Sequence, residues 1–165
     1  MRKTLAILFI IFSGFVNAQI GEKIKDKIKD VNPRNKYPSA VQVYAFGPVG
    51  LGALTYDYFI QPNFAIEGGI GYHLTAENVG FTFGGRFHPL GRGPQRATPY
   101  VGLYNSVGPV EDSWEYYNLY IPVGINRIQR NGFNWSFEIA FQWNTSVGRW
   151  ISGGIKFGPR FKIFS

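Results

Sequence analysis

Six ionisable residues stand inside strand-like stretches of the chain: Asp57, Glu67, Arg86, Glu138, Lys156 and Arg160. Charges so placed either pair with one another in a confined space or perform acid–base chemistry. The turn at Gln61-Pro62-Asn63 sets Asp57 opposite Glu67, and the loop at 75–78 sets Arg86 beside Glu67. Glu138 and Lys156 face each other on the last hairpin. Cross-strand partners on one face lie close enough to pair, and an unpaired charge in a narrow space is costly. The expectation is therefore a salt-bridged network that fills the interior, with Arg160 a further member. A catalytic carboxylate pair at Asp57 and Glu67 is the weaker reading.

The other candidate chemistries are thin. His73 and His88 fall at opposite ends of one hairpin, too far apart to share a metal. There are no cysteines, hence no thiol nucleophile, disulfide or thiolate zinc site. Neither a metal nor a cofactor is expected. The glycine clusters Gly47 to Gly52 and Gly68 to Gly71 lack the order of a phosphate loop, and no helix follows them. Glycine there suits crowded strand crossings.

These residues must be positioned by strands. The 165 residues suffice for one domain. Aromatics at 18% and 21 glycines, with charged residues at only 16%, favour strands and turns over helices. The net charge of +7 does not signal nucleic-acid binding. Arg2 and Lys3 lie in a leader, residues 19–38 hold six basic against three acidic residues, and the chain from Ser39 holds nine against seven. No dense basic face is left to track phosphates.

The leader has a positive start at Arg2-Lys3, an apolar core from Leu5 to Phe12, and small residues at Val16-Asn17-Ala18. It reads as a signal peptide over 1–18, with Gln19 opening the mature chain. Its core is short for a spanning helix. No Cys at its end invites a lipid anchor. Residues 19–38 form a polar lead-in where Ile20, Ile24 and Ile28 recur every four residues. This is either a solvated periplasmic segment, the preferred reading, or a short amphipathic helix on a membrane surface. Pro33 and Pro38 are expected to end it.

From Ser39 to residue 165 the period changes to two. Eight strands are predicted: Ser39 to Phe46, Leu51 to Ile60, Asn63 to His73, Val79 to His88, Thr98 to Asn105, Tyr116 to Asn126, Gly132 to Trp143, and Trp150 to Phe164. One face of the seventh carries Trp135, Phe137, Ile139, Phe141 and Trp143; the other carries Asn134, Ser136, Glu138, Ala140 and Gln142. Phe81 and Phe83 mark the apolar face of the fourth strand, and Phe157 and Phe161 that of the last.

Volume decides which face points out. An eight-stranded barrel has an interior just wide enough for side chains, and these rings would overfill it. A soluble surface would also carry far more Lys and Glu. The rings therefore point outward, and lipid is the solvent that tolerates them. Trp135 and Trp143 bracket their strand at about 26 Å of extended chain, near the height of a transmembrane apolar band once tilted. The fold class expected is all-β: an eight-stranded antiparallel up-and-down transmembrane barrel behind a cleaved signal peptide and a polar lead-in. Eight is even, so both barrel ends fall on the periplasmic side. Arg92, Arg96, Arg127 and Arg130 then sort to periplasmic turns, and Glu77, Glu111, Asp112 and Glu115 to external loops. The longest external loop is read as Ser106 to Glu115.

The leader ending Val16-Asn17-Ala18-Gln19 joins three other carriers: Glu67-Gly68-Gly69-Ile70-Gly71-Tyr72, Tyr120-Ile121-Pro122-Val123-Gly124, and the last strand. Together they resemble the small outer-membrane β-barrel family, which includes the OmpA-like and OmpX-like eight-stranded barrels. The resemblance covers about residues 39–165. It implies an outer-membrane location, contact with outer-membrane lipids including lipopolysaccharide, and handling by barrel-assembly machinery. Lys156, Gly158, Phe161 and Ile163 look like that machinery's sorting signal, although Phe164 is followed by Ser165 where the family often ends in an aromatic. An OmpA-type peptidoglycan-binding domain is not expected, because the chain ends with the barrel.

The resemblance further implies a non-enzymatic role in envelope integrity or surface contact. Some small outer-membrane barrels are lipid A palmitoyltransferases or deacylases. By that likeness His73, Asp112 and Ser113 near the outer rim are the residues an acyl-transfer enzyme would use, but the family's motifs are missing. A soluble ligand-carrying barrel is the third reading.

Overall fold

A computed structural model describes residues 32–73, 78–110, 113–145 and 148–163, with the side chains of all but 73, 78, 109–110 and 113–116 among these. The leader, the Ile20/Ile24/Ile28 stripe, Glu77, Glu111, Asp112 and the end of the sorting-signal segment at 164–165 lie outside the described residues.

Strands β1 (Ser39–Ala45), β2 (Gly52–Gln61), β3 (Phe64–His73), β4 (Asn78–Phe87), β5 (Ala97–Val110), β6 (Ser113–Ile128), β7 (Phe133–Asn144) and β8 (Gly148–Phe161) form one closed antiparallel barrel. Each pairs with its neighbour in sequence, and β1 closes on β8. Alternation of apolar and small polar residues makes each strand two-faced, and closure pairs every edge that an open sheet would leave bare.

The two faces divide as in a soluble protein turned inside out. Phe81, Phe83, Phe137, Phe141, Trp143, Phe157 and Phe161 are exposed on the outer face, and Trp135 is half-buried there. Among the described residues the buried set holds twenty polar or charged residues against ten apolar ones. A water-soluble core has the opposite balance.

Two expectations about elements change. The stretch read as the external loop Ser106 to Glu115 is mostly strand, because β5 and β6 continue pairing through Val107–Tyr117 and Gly108–Tyr116 to Val110–Ser113. Pro33, expected to stop a helix, opens one: α1 is the single turn Pro33–Lys36. Asn32 caps it, its side-chain oxygen accepting from the Arg34 amide at 2.9 Å. Pro suits the first helical position because that amide has no partner there anyway.

Candidate functional site

The polar side chains converge in the lumen, which is filled in three tiers. In the middle tier the β2–β3 register pairs Asp57 with Glu67, and the β3–β4 register pairs Ala65 with Arg86. Arg86 therefore lies diagonal to Glu67 and reaches both carboxylates. It forms an ion pair with Asp57, and its Nε stands 3.6 Å from Glu67 Oε2. Arg160 Nη1 approaches the other Asp57 oxygen at 2.7 Å. Lys156 Nζ donates to Glu67 Oε2 at 2.8 Å, as does the Tyr104 hydroxyl at 2.8 Å. All these side chains are buried.

Lys156 does not face Glu138 as the hairpin spacing suggests. The β7–β8 register puts Lys156 opposite Ser136 and Glu138 opposite Gly154. The ammonium instead crosses the lumen to β3, resting over the Tyr44 ring at 4.3 Å from its centroid. Glu138 is held by phenols: Tyr120 donates to Oε1 at 2.5 Å and Tyr100 donates to Oε2. Hairpin reasoning sees only sequence neighbours, whereas closure brings β3 and β8 face to face.

Tyr44, Tyr100, Tyr104 and Tyr120 are fully buried, so tyrosines fill the lumen together with the ion pairs expected there. The signal was present in β5, where Thr98, Tyr100, Gly102, Tyr104 and Ser106 share one face. Tyrosine fits because its hydroxyl finds a polar partner while its ring fills volume. The rings need bare backbone beside them. A Cβ on Gly84, the register partner of Tyr104, would stand 2.5 Å from that ring.

The two ends are closed differently. Residues 32–38, read as a solvated lead-in, are drawn into the mouth where β1 begins. Arg34 is fully buried, donating to the Gln95 carbonyl at 2.8 Å and to the Thr98 hydroxyl at 2.5 Å. Asn32 donates to the Gly91 carbonyl at 2.8 Å, and Arg160 donates to the Tyr37 and Pro38 carbonyls at 2.9 and 2.6 Å. Burial first, then the positive charges of Arg160 and Arg86, lower the Arg34 pKa to about 9. His88, just past β4, meets the Thr98 hydroxyl at 3.0 Å. Burial and the surrounding cations, Arg86 first, push it well below its ordinary range. The ring is therefore uncharged at neutral pH. At the other mouth the β1–β2 turn folds inward. Val49 is buried and the Pro48 carbonyl accepts from Asn118 Nδ2 at 2.7 Å.

Among the described residues Arg34 is the one arginine or lysine buried from outside the strands. Its hydrogen bonds join a charged donor to neutral acceptors, a class worth about 1.5–3 kcal/mol each. Arg34→Ala is expected to speed hydrogen exchange of amides 34–37 and 96–98 by at least about tenfold, while β7 amides stay protected. Unchanged exchange would mean that the segment is held without it.

The enzyme-type residues are not brought together by anything described. His73 ends β3 and Ser113 begins β6; their side chains, and all of Asp112, lie outside the described residues. Among the described residues no three His, Asp or Glu side chains gather as a metal site requires. Gly158, assigned above to a sorting signal, lies against β1: a Cβ there would stand 2.1 Å from the Val41 carbonyl oxygen. Phe161 faces outward and Ile163 is exposed. No protein-family model, curated protein or solved structure matches the chain.

Proposed function

We propose that this chain is a non-enzymatic outer-membrane β-barrel of the OmpA-like or OmpX-like type, exported by the 1–18 leader, with a structural role in the envelope or in surface contact. The observation that carries the reading is the reversed burial. Mid-strand outward residues such as Phe83, Phe137 and Ile139 expose 57%, 52% and 57% of their surface, while ion pairs occupy the axis. In water an apolar band of this extent has no cover, whereas hydrocarbon solvates it at no cost. Soluble ligand carriage is disfavoured on the same ground. A channel is disfavoured too, since tyrosines and ion pairs fill the middle of the lumen.

The reading predicts extraction by detergent and different gel mobility of cold and boiled samples. Recovery in the soluble fraction without detergent would overturn it. A sharper test places charge on the outer face. Phe137→Arg, at mid-height, is expected to cost about 2–4 kcal/mol in vesicles, and Trp143→Arg, near the rim, only about 0–1 kcal/mol. On a soluble barrel both arginines would face water and neither would cost more than about 0.5 kcal/mol.

A further inference from the structure

The mouth where β1 begins and β8 ends carries a ring of cations: Lys36, Arg92, Arg96, Arg127, Arg130 and Lys162. All but the half-buried Arg96 are exposed. Among the described side chains no carboxylate is found beside Lys36, Arg92, Arg127, Arg130 or Lys162. Among the described side chains the acids are Asp57, Glu67 and Glu138, all buried in the lumen and engaged there by Arg86, Arg160, Lys156 and tyrosines. Arg34 adds a further positive charge just inside the same mouth, with neutral acceptors as its hydrogen-bond partners.

Position identifies what this rim fits. Arg127 pairs in register with Trp135 on the outer face of the barrel, two residues beyond Ile125 and four beyond Val123. Lys162 lies between the exposed Phe161 and Ile163. These cations stand where the apolar band stops. A ligand that meets the band and the ring at once needs a hydrocarbon tail and an anionic head. Guanidinium groups match phosphate geometry in a two-pronged fashion. We propose that this rim is a docking surface for the phosphate headgroups of anionic phospholipids in the leaflet at that end. The proposal rests on the membrane reading above and adds to it a lipid class and the residues that select it.

The test reconstitutes the full chain into bilayers of equal phosphatidylglycerol and phosphatidylcholine, then counts the lipids retained in native mass spectrometry. Phosphatidylglycerol is expected to be retained at least about fivefold over phosphatidylcholine, the effect of one basic residue near an anionic surface. The Arg127→Gln/Arg130→Gln pair should bring the ratio to near parity, and Arg149→Gln at the opposite end should leave it unchanged. Should the first pair fail to insert, Lys36→Gln/Lys162→Gln is read in its place and should lower the ratio likewise. High salt should weaken the preference. Equal retention by an inserted wild-type barrel overturns the rim proposal alone. Displacement of phosphatidylglycerol by glycerol phosphate, a head with no tail, overturns it in favour of a soluble anion. Failure of the wild type to insert in any bilayer sinks the membrane reading, and the rim falls with it.

Discussion

Asp57→Ala is expected to lower the unfolding free energy by about 3–5 kcal/mol, the range for removing one partner of a buried ion pair. Asp57 is fully buried between Arg86 and Arg160, the latter at 2.7 Å. Its loss leaves two guanidinium groups facing each other, with Glu67 at 3.6 Å from Arg86 as the nearest remaining anion. The penalty is therefore mostly the uncompensated charge rather than the lost attraction. Coupling follows from the same geometry. The double change Asp57→Ala/Arg160→Ala should cost less than the sum of the single changes by about 1–3 kcal/mol, because the second removal relieves part of the repulsion. Equilibrium urea unfolding in lipid vesicles reads both values. A cost below about 1 kcal/mol would show that water reaches the lumen and screens the pair.

Gly158→Val should be nearly as damaging, for a packing reason. Gly158 faces inward on β8, and its hypothetical Cβ would stand 2.1 Å from the Val41 oxygen and 2.8 Å from Gln42 Cα. These are backbone atoms of β1, so the seam itself must move. Overpacking typically costs about 1–3 kcal/mol, and a fixed backbone neighbour places this site at about 3 kcal/mol. The prediction also separates two reasons for a glycine here. If close approach of β1 and β8 demands it, refolding of the purified variant into vesicles falls without any cellular machinery. If the glycine serves only as part of a sorting signal, the purified variant refolds like wild type and fails only in cells.

What the sequence determined by itself was everything that follows from period two. The eight strands, their order, the outward direction of Phe137 and Phe141, and the pairing of Asp57 with Glu67 across a tight turn are all local. Each depends on residues a few positions apart or on one hairpin. Where local patterning failed, it failed at ends: the β5–β6 hairpin pairs on through residues that read as a loop, because backbone pairing continues regardless of composition.

Only the tertiary structure decided how the lumen is satisfied. Lys156 meets Glu67 across 89 positions and leaves Glu138 to Tyr100 and Tyr120. Arg34, a lone arginine between two prolines, becomes the stopper of one mouth. The Lys156–Glu67 and Tyr100–Glu138 contacts run across the lumen between strands that never pair edge to edge. Nothing in alternation or turn chemistry encodes which side chains meet there. Closure fixes it, because shear and lumen width set which side chains share a tier and how far each must reach.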